Sequence, residues 1–195
     1  MLVGWYLRRA IPWMALLGCC AAAVVLVVAL NHWPSTAVIL LPALLAASAA
    51  AAAFCFDEVA LPVVHVTPRG STWRTMARLA AAGVPLLLWT LAILIRPGDL
   101  PLSTGAWWLV GFAAIGLTTG VAALASRHSI ASPGGSLAAV VALAVISPVV
   151  VGAFLGWDTL YPIDDFAPGV LTFWSAIAAA GALACVAALR PGVRA

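Results

Sequence analysis

The segment 57–78 reads DEVALPVVHVTPRGSTWRTMAR and is the longest part of the chain too polar to cross a membrane. This polar segment lies between two apolar runs and carries three of the nine basic residues and two of the six acidic residues. The remaining chain is too apolar to face water, because 65% of all residues are hydrophobic and 8% are charged, against about 25% charged in a soluble domain. The composition therefore predicts a membrane protein whose polar segment is its working surface.

Six apolar runs are long enough to cross a bilayer as helices. About 20 helical residues, each rising 1.5 Å, cover the roughly 30 Å of hydrocarbon. A β-barrel is not expected, because the runs are continuously apolar rather than alternating. The predicted fold is an all-α bundle of six transmembrane helices in a single domain (1–195), with spans at about 11–30, 37–56, 79–95, 105–125, 137–156 and 169–189.

The amino-terminal region allows two interpretations. Residues 1–10 are too short and too basic at their end to predict a folded unit, and the run 11–30 could belong to a signal peptide. This run is longer than the roughly 7–15 apolar residues of a signal peptide, and further membrane-like sequence follows it. We therefore expect a first membrane span.

The arginines predict which side of the membrane each loop occupies. With six spans and an inner amino terminus, eight of the nine basic residues fall on the inner side, and only Arg96 falls outside. Short loops rich in Lys and Arg remain in the cytoplasm. We therefore expect a plasma-membrane protein with both termini cytoplasmic and an outer aromatic belt formed by Trp33, Trp107, Trp108 and Trp157.

The chain carries no recognisable catalytic motif. It has no lysine, so it lacks the standard GxxxxGK[ST] ATP-binding loop, and His32, His65 and His128 lie far apart in three loops. No charged residue lies well inside a span, which disfavours an ion-coupled carrier whose site is built from charges. The four cysteines lack a CxxC pattern and are interpreted as packing residues. We expect no enzyme, metal or cofactor site in this chain and no nucleic-acid partner.

Small residues and prolines predict how the spans pack. Gly116 and Gly120 form a GxxxG spacing, which lets two helix backbones approach closely in lipid. A contact within the chain and a dimer interface both explain this spacing, and the contact within the chain is the preferred interpretation. Pro42, Pro85 and Pro148 are expected to bend their helices, because proline removes a backbone hydrogen bond.

The residues of the polar segment allow two roles for it. Ser71 or Thr72 can cap a helix that places Arg74 and Arg78 four residues apart on one face. Such a helix either lies at the membrane interface, with its arginines on lipid phosphates, or docks a cytoplasmic partner. The residues alone favour the interfacial anchor.

The layout adds a further indication. The chain combines six spans, inner termini and a longest inner loop between spans two and three. That loop holds an acidic pair, apolar residues, Thr67-Pro68-Arg69, and then two arginines before span three. This arrangement resembles the membrane subunit of ABC-2-type exporters, in a small form similar to actinobacterial members. In that family the loop carries a coupling helix that fits a groove on a separate ATPase subunit. The resemblance implies partner-docking residues at Asp57, Glu58, Arg69, Arg74 and Arg78.

The resemblance implies the permease subunit of an ATP-driven exporter. ATP and Mg would then be bound by a partner ABC-type ATPase. The other expected partners are a second permease subunit, identical or homologous, and membrane lipids. Many family members have two re-entrant helices between spans five and six. The loop here is short, and 161–166 is interpreted as a reduced version. The alternative function is a non-transporting accessory or regulatory subunit of a larger membrane complex.

Overall fold

A computed structural model of the chain describes residues 2–57, 71–96, 103–128, 133–155, 160–161 and 166–190. Within these ranges all regular structure is helical, and six helices are long and apolar enough to cross a membrane. The predicted all-α fold with six membrane-spanning helices is therefore confirmed. The sides on which the two termini lie, and the type of membrane, stay predictions.

The described residues form eight α-helices. A 3₁₀ turn at Pro34–Thr36 leads into the third helix. In chain order the helices are α1 (Leu2–Ala10), α2 (Trp13–His32), α3 (Ala37–Phe54), α4 (Ser71–Ala81), α5 (Gly83–Ile95), α6 (Thr104–His128), α7 (Gly134–Leu155) and α8 (Pro168–Leu189).

The third span consists of two helices, α4 and α5. It covers Thr72–Ile95, so it begins within the polar segment instead of at residue 79. The two helices are separated at Ala82, because Pro85 has no N–H to donate to the carbonyl of Ala81 and its ring crowds that carbonyl. By contrast, α3 continues through Pro42 and α7 continues through Pro148.

The first helix, α1, differs from the sequence-based expectation. Residues 1–10 were not expected to fold, yet Leu2–Ala10 is helical, with Tyr6 and Ala10 buried against Ala77 of α4. The Tyr6 ring lies 5.2 Å from the Trp73 ring, also on α4. A nine-residue helix is marginal by itself. The expectation was wrong because the contacts that stabilise α1 come from a distant part of the chain.

The helix α3 lies at the centre of the bundle and packs against α2, α5, α6 and α7. Its buried face is rich in alanine, including Ala46, Ala49, Ala52 and Ala53. Small side chains allow close approach on several sides of one helix, which is how helices associate in lipid. The last two helices pack mainly on different neighbours, α7 on α3 and α8 on α6, and only weakly on each other within the described residues.

Contacts between helix ends define two ends of the bundle. The arginine end contains Arg78, which bonds the backbone after α3, and Arg127, which bonds the last turn of α8. The tryptophan end contains Trp107 and Tyr161, together with Arg96, which donates to Thr104 Oγ1 at 2.5 Å. We expect the arginine end to face the cytoplasm.

Candidate functional site

Arg78 links three helices at the arginine end. Its side chain is only 3% exposed, its Nε donates to the Tyr6 hydroxyl at 3.1 Å, and its Nη1 donates to the Phe56 carbonyl at 2.8 Å. The guanidinium carbon also lies 6.0 Å from the centre of the Tyr6 ring, a cation–π distance. Because arginine stays charged in proteins, these contacts place a permanent positive charge where α1, α3 and α4 meet.

Asp57 joins the end of α3 to the beginning of α7. Its carboxylate is buried, and Oδ1 accepts a hydrogen bond of 2.5 Å from the Gly134 N–H. The first N–H groups of a helix have no partner within the helix, and negative charge is favourable at that end. Gly134 permits this approach, since a methyl group there would lie 2.5 Å from the Asp57 carboxyl carbon. Asp57 therefore acts as a helix cap supplied from 77 residues away.

Arg127 caps the carboxyl-terminal end of α8, as Asp57 caps the amino-terminal end of α7. Its Nη1 donates to the carbonyls of Ala187 at 3.0 Å and Ala188 at 2.9 Å. The last carbonyls of a helix have no partner within the helix, and positive charge is favourable there. The arginine end thus holds the termini of α7 and α8 by side chains from other helices.

The structure brings together only part of the predicted docking set. Asp57 and Arg78 lie on either side of the same backbone stretch, since Arg78 bonds the residue immediately before Asp57. Both side chains are buried by other parts of the chain, Asp57 at 9% and Arg78 at 3% exposed. Arg74 is half-buried on α4, and Glu58 and Arg69 lie outside the described residues.

A cavity of about 330 Å³ lies between α6, α7 and α8. Its inner walls are buried side chains, among them Thr118 of α6, Val145 of α7 and Trp174 of α8. The Thr118 hydroxyl donates to the Ala114 carbonyl at 2.8 Å, so it is already bonded within its own helix. The cavity is therefore an apolar space bordered by three spans.

Tyr161 closes this cavity from the tryptophan end. Its hydroxyl donates to the Val145 carbonyl of α7, although Val145 lies ten residues before the end of that helix, or about 15 Å along its axis. Leu160 also lines the cavity, and its carbonyl accepts a bond of 2.8 Å from Trp174 Nε1. Burial raises the pKa of Tyr161 well above its usual value, so it remains a hydrogen-bond donor at neutral pH.

An aromatic stack supports this closure. The ring centres of Trp89 and Trp107 are 6.1 Å apart, those of Trp107 and Tyr161 are 5.8 Å apart, and those of Tyr161 and Trp174 are 5.8 Å apart. All four side chains are buried. Trp107 was expected at the outer membrane interface, but it lies inside the bundle because its ring stacks on Tyr161. Trp33, by contrast, is exposed.

The two glycines of the GxxxG spacing occupy different environments. A methyl group at Gly120 would lie 2.7 Å from Ala184 Cβ and 2.8 Å from the Gly181 carbonyl, both on α8. A methyl group at Gly116 would meet nothing within 4 Å. The close approach between α6 and α8 is completed by Gly181, where a methyl group would lie 2.6 Å from the Leu117 nitrogen.

We expect Gly181→Ala to lower the free energy of unfolding by about 1–2 kcal/mol, because the added methyl would press on the backbone of α6. Gly116→Ala, on the facing helix, should cause no loss. The measurement is unfolding by SDS titration in mixed micelles for both variants. Equal stability of the two variants would contradict the close contact at Gly181.

Sequence reasoning missed several residues that build these sites. Gly111, Gly134 and Gly181 are glycines whose partners lie far away in the sequence, and Tyr6 lies in a segment that was not expected to fold. The loop tyrosine, Tyr161, had one signal: it is an aromatic residue in a short connection between two apolar runs.

Redox and metal chemistry find little support in the described residues. The four cysteines are free thiols, and the Cys55 thiol donates to the Ala51 carbonyl within its own helix. No group of three His, Cys, Asp or Glu side chains that could hold a metal ion occurs in the described ranges.

Comparison of the chain with protein-family models, curated proteins and solved structures finds no match. The likeness to exporter membrane subunits therefore rests on the layout of the chain and on the polar segment.

Proposed function

We propose that this chain is a permease subunit of an ATP-driven exporter and that its polar segment couples it to a separate ATPase. The observation that supports this proposal most directly is the hydrogen bond from Gly134 to Asp57. Asp57 is the first residue of the polar segment, and Gly134 is the first residue of α7, which lines the apolar cavity. A force on the polar segment would therefore reach a cavity-lining helix through one short contact.

The hydrogen bonds of Arg78 hold the backbone next to this contact in place. Arg78 lies at the other limit of the polar segment, and its bond to the Phe56 carbonyl ties that limit to the residue before Asp57. The residues between Asp57 and Arg78 are thus joined through the chain to two residues of one polar cluster. A partner that binds them differently in two nucleotide states would bias α7 between two positions, because a ligand shifts an equilibrium by its difference in affinity for the two states.

The cavity walls indicate the class of cargo. They are apolar, and the hydroxyls of Thr118 and Tyr161 within them already donate hydrogen bonds to backbone carbonyls. We therefore propose an apolar or amphipathic cargo. A second permease subunit, identical or homologous, would complete the proposed assembly.

The test is purification of the tagged chain from its own cells in lipid nanodiscs, followed by mass spectrometry. We expect a nucleotide-binding ATPase in near-equal amount. Reversal of two charges of the polar segment (Glu58→Arg with Arg69→Glu) should reduce recovery of the ATPase at least tenfold without loss of membrane insertion. Arg8→Glu, an exposed charge at the same end of the bundle, is the matched control and should leave recovery unchanged.

A second variant separates docking from transmission. Gly134→Ala places a methyl group against the Asp57 carboxylate, so it should retain the ATPase but lower cargo-stimulated ATP hydrolysis. Recovery of the wild-type chain with a membrane complex that contains no ATPase would overturn the permease proposal and support the accessory role.

A further inference from the structure

We infer that the cavity between α6, α7 and α8 binds an acyl chain of a membrane lipid, which enters sideways between α7 and α8. This site does not depend on coupling to an ATPase. It follows from the shape of the cavity, the chemistry of its walls and the position of its opening.

The chemistry of the walls selects an apolar ligand. The polar groups of the described lining are engaged: Thr118 donates to Ala114, Tyr161 donates to Val145, and Trp174 donates to the carbonyl of Leu160. A ligand with hydrogen-bonding groups would therefore lose its bonds to water without replacement, which is unfavourable. A hydrocarbon chain has no such bonds to lose.

The size of the cavity also fits a chain. An apolar cavity of about 150 Å³ remains dry and binds benzene, and ligand pockets begin at about 300 Å³. The volume here is about 330 Å³, so there is room for an apolar group larger than a single ring. An empty space of this size would leave the lining side chains without van der Waals partners.

The opening faces the surrounding lipid. Four lining residues are exposed: Val140 and Ala144 of α7, Phe173 of α8 and Val121 of α6. The helices α7 and α8 pack mainly on α3 and on α6, respectively, which leaves the gap between them. Tyr161 and Leu160 close the cavity toward the tryptophan end, so the described route into it passes through the side of the bundle. The molecules at that side of a membrane-spanning helix are lipids.

A helix from a second copy is the less suitable occupant. A helix with its side chains is about 10 Å across, whereas the cavity holds only about 330 Å³ and is closed at one end by Tyr161. An acyl chain is thin and flexible enough to enter a space of this volume. Insertion of a partner side chain is treated as an outcome of the test.

The experiment places the full chain in nanodiscs of palmitoyl-oleoyl phosphatidylcholine that contain a phosphatidylcholine with a diazirine in the middle of one acyl chain. After irradiation, labelled residues are mapped by mass spectrometry. We expect labels on Ala114 and Thr118, which are 7% and 3% exposed and can be reached only from inside the cavity. The exposed residues Leu183 and Val186 report ordinary contact with bulk lipid.

Ala144→Phe fills the cavity from its rim and should reduce labelling of Ala114 and Thr118 at least fivefold. Leu143→Phe is the matched control: the neighbouring side chain is 70% exposed and does not line the cavity, so labelling should stay unchanged. Unchanged labelling of Leu183 and Val186 in both variants verifies that the bundle is intact.

Three results would overturn the inference. One is labelling of Leu183 and Val186 without labelling of the cavity wall in the wild-type chain. Another is wall labelling that Ala144→Phe does not reduce. The last is an unlabelled cavity wall in a chain that is cross-linked to a second copy, which would show that a protein side chain fills the space. Val140→Trp, which narrows the same opening, provides an independent repeat if Ala144→Phe folds poorly.

Discussion

Gly111→Ala should abolish the normal packing of α5 on α6 and lower the free energy of unfolding by about 3 kcal/mol or more. A methyl group at Gly111 would lie 1.8 Å from Trp89 Nε1 and 2.3 Å from Trp89 Cδ1, which no small adjustment relieves. Trp89 is fully buried, and its Nε1 donates to the Trp107 carbonyl at 3.2 Å. Displacing it adds a lost hydrogen bond of about 1 kcal/mol to an overpacking cost of about 1–3 kcal/mol.

The measurement is SDS titration of the purified variant, with tryptophan fluorescence as the signal. Gly105 lies on the same helix, and a methyl group at this position would meet nothing within 4 Å. The unfolding curve of Gly105→Ala should therefore match that of the wild type. A Gly111→Ala variant as stable as Gly105→Ala would show that Trp89 does not pack over Gly111. Recovery of stability by Gly111→Ala with Trp89→Leu would confirm that the clash is between these two residues.

Arg78→Met should lower the free energy of unfolding by about 3 kcal/mol, because hydrogen bonds to charged groups contribute about 1.5–3 kcal/mol each. Methionine keeps most of the length and apolar volume of the side chain. It removes the bonds to the Tyr6 hydroxyl and to the Phe56 carbonyl, both of which are buried. Arg8→Met, an exposed arginine on α1, is the control and should change stability by less than about 0.5 kcal/mol.

A double-mutant cycle isolates the link between α1 and α4. Tyr6→Phe alone should cost about 1.5 kcal/mol or more, and it should cost less in the Arg78→Met background, since the shared bond is then already absent. Additive effects of the two substitutions would contradict a direct Arg78–Tyr6 interaction. The cycle also tests whether α1 is held by this contact.

The helices are held together by different kinds of contact at the two ends of the bundle. In lipid there is little hydrophobic driving force between helices, so specific association depends on close packing and on polar contacts. At the arginine end, charged side chains bind helix termini: Asp57 accepts a bond from the first residue of α7, and Arg127 donates to the last turn of α8. The tryptophan end uses stacked rings around Tyr161. The apolar cavity lies between these two sets of contacts, so both can influence its shape.

Most of the secondary structure could be predicted from the sequence. Continuous apolar runs predicted the six spans, because a backbone in lipid must satisfy its hydrogen bonds within the segment, which makes a span a local property. The helix predicted to follow Ser71 or Thr72 is present as α4, which begins at Ser71 itself. The helix α1 was missed, since nine residues gain their stability from α4 and carry no sufficient signal of their own.

The sites themselves could be predicted only in part. Asp57 and Arg78 were predicted as partner-docking residues, but a sequence could not reveal that both are buried within the chain. Gly120 was found through its GxxxG spacing, whereas Gly181 and Gly111 have no comparable local pattern. The cavity and its closure by Tyr161 depend on which helices neighbour one another, and that order is absent from the hydropathy pattern.

By itself, the sequence determined the number of spans, their approximate limits and the grouping of arginines in alternate loops, because these depend on properties of adjacent residues. Only the tertiary structure decided which helices touch and which charges are buried. Tyr6 and Arg78 are 72 residues apart, and Asp57 and Gly134 are 77 residues apart, yet each pair shares a hydrogen bond. Apolar helices have nearly interchangeable surfaces in lipid, so a few distant glycines, rings and charges decide their arrangement.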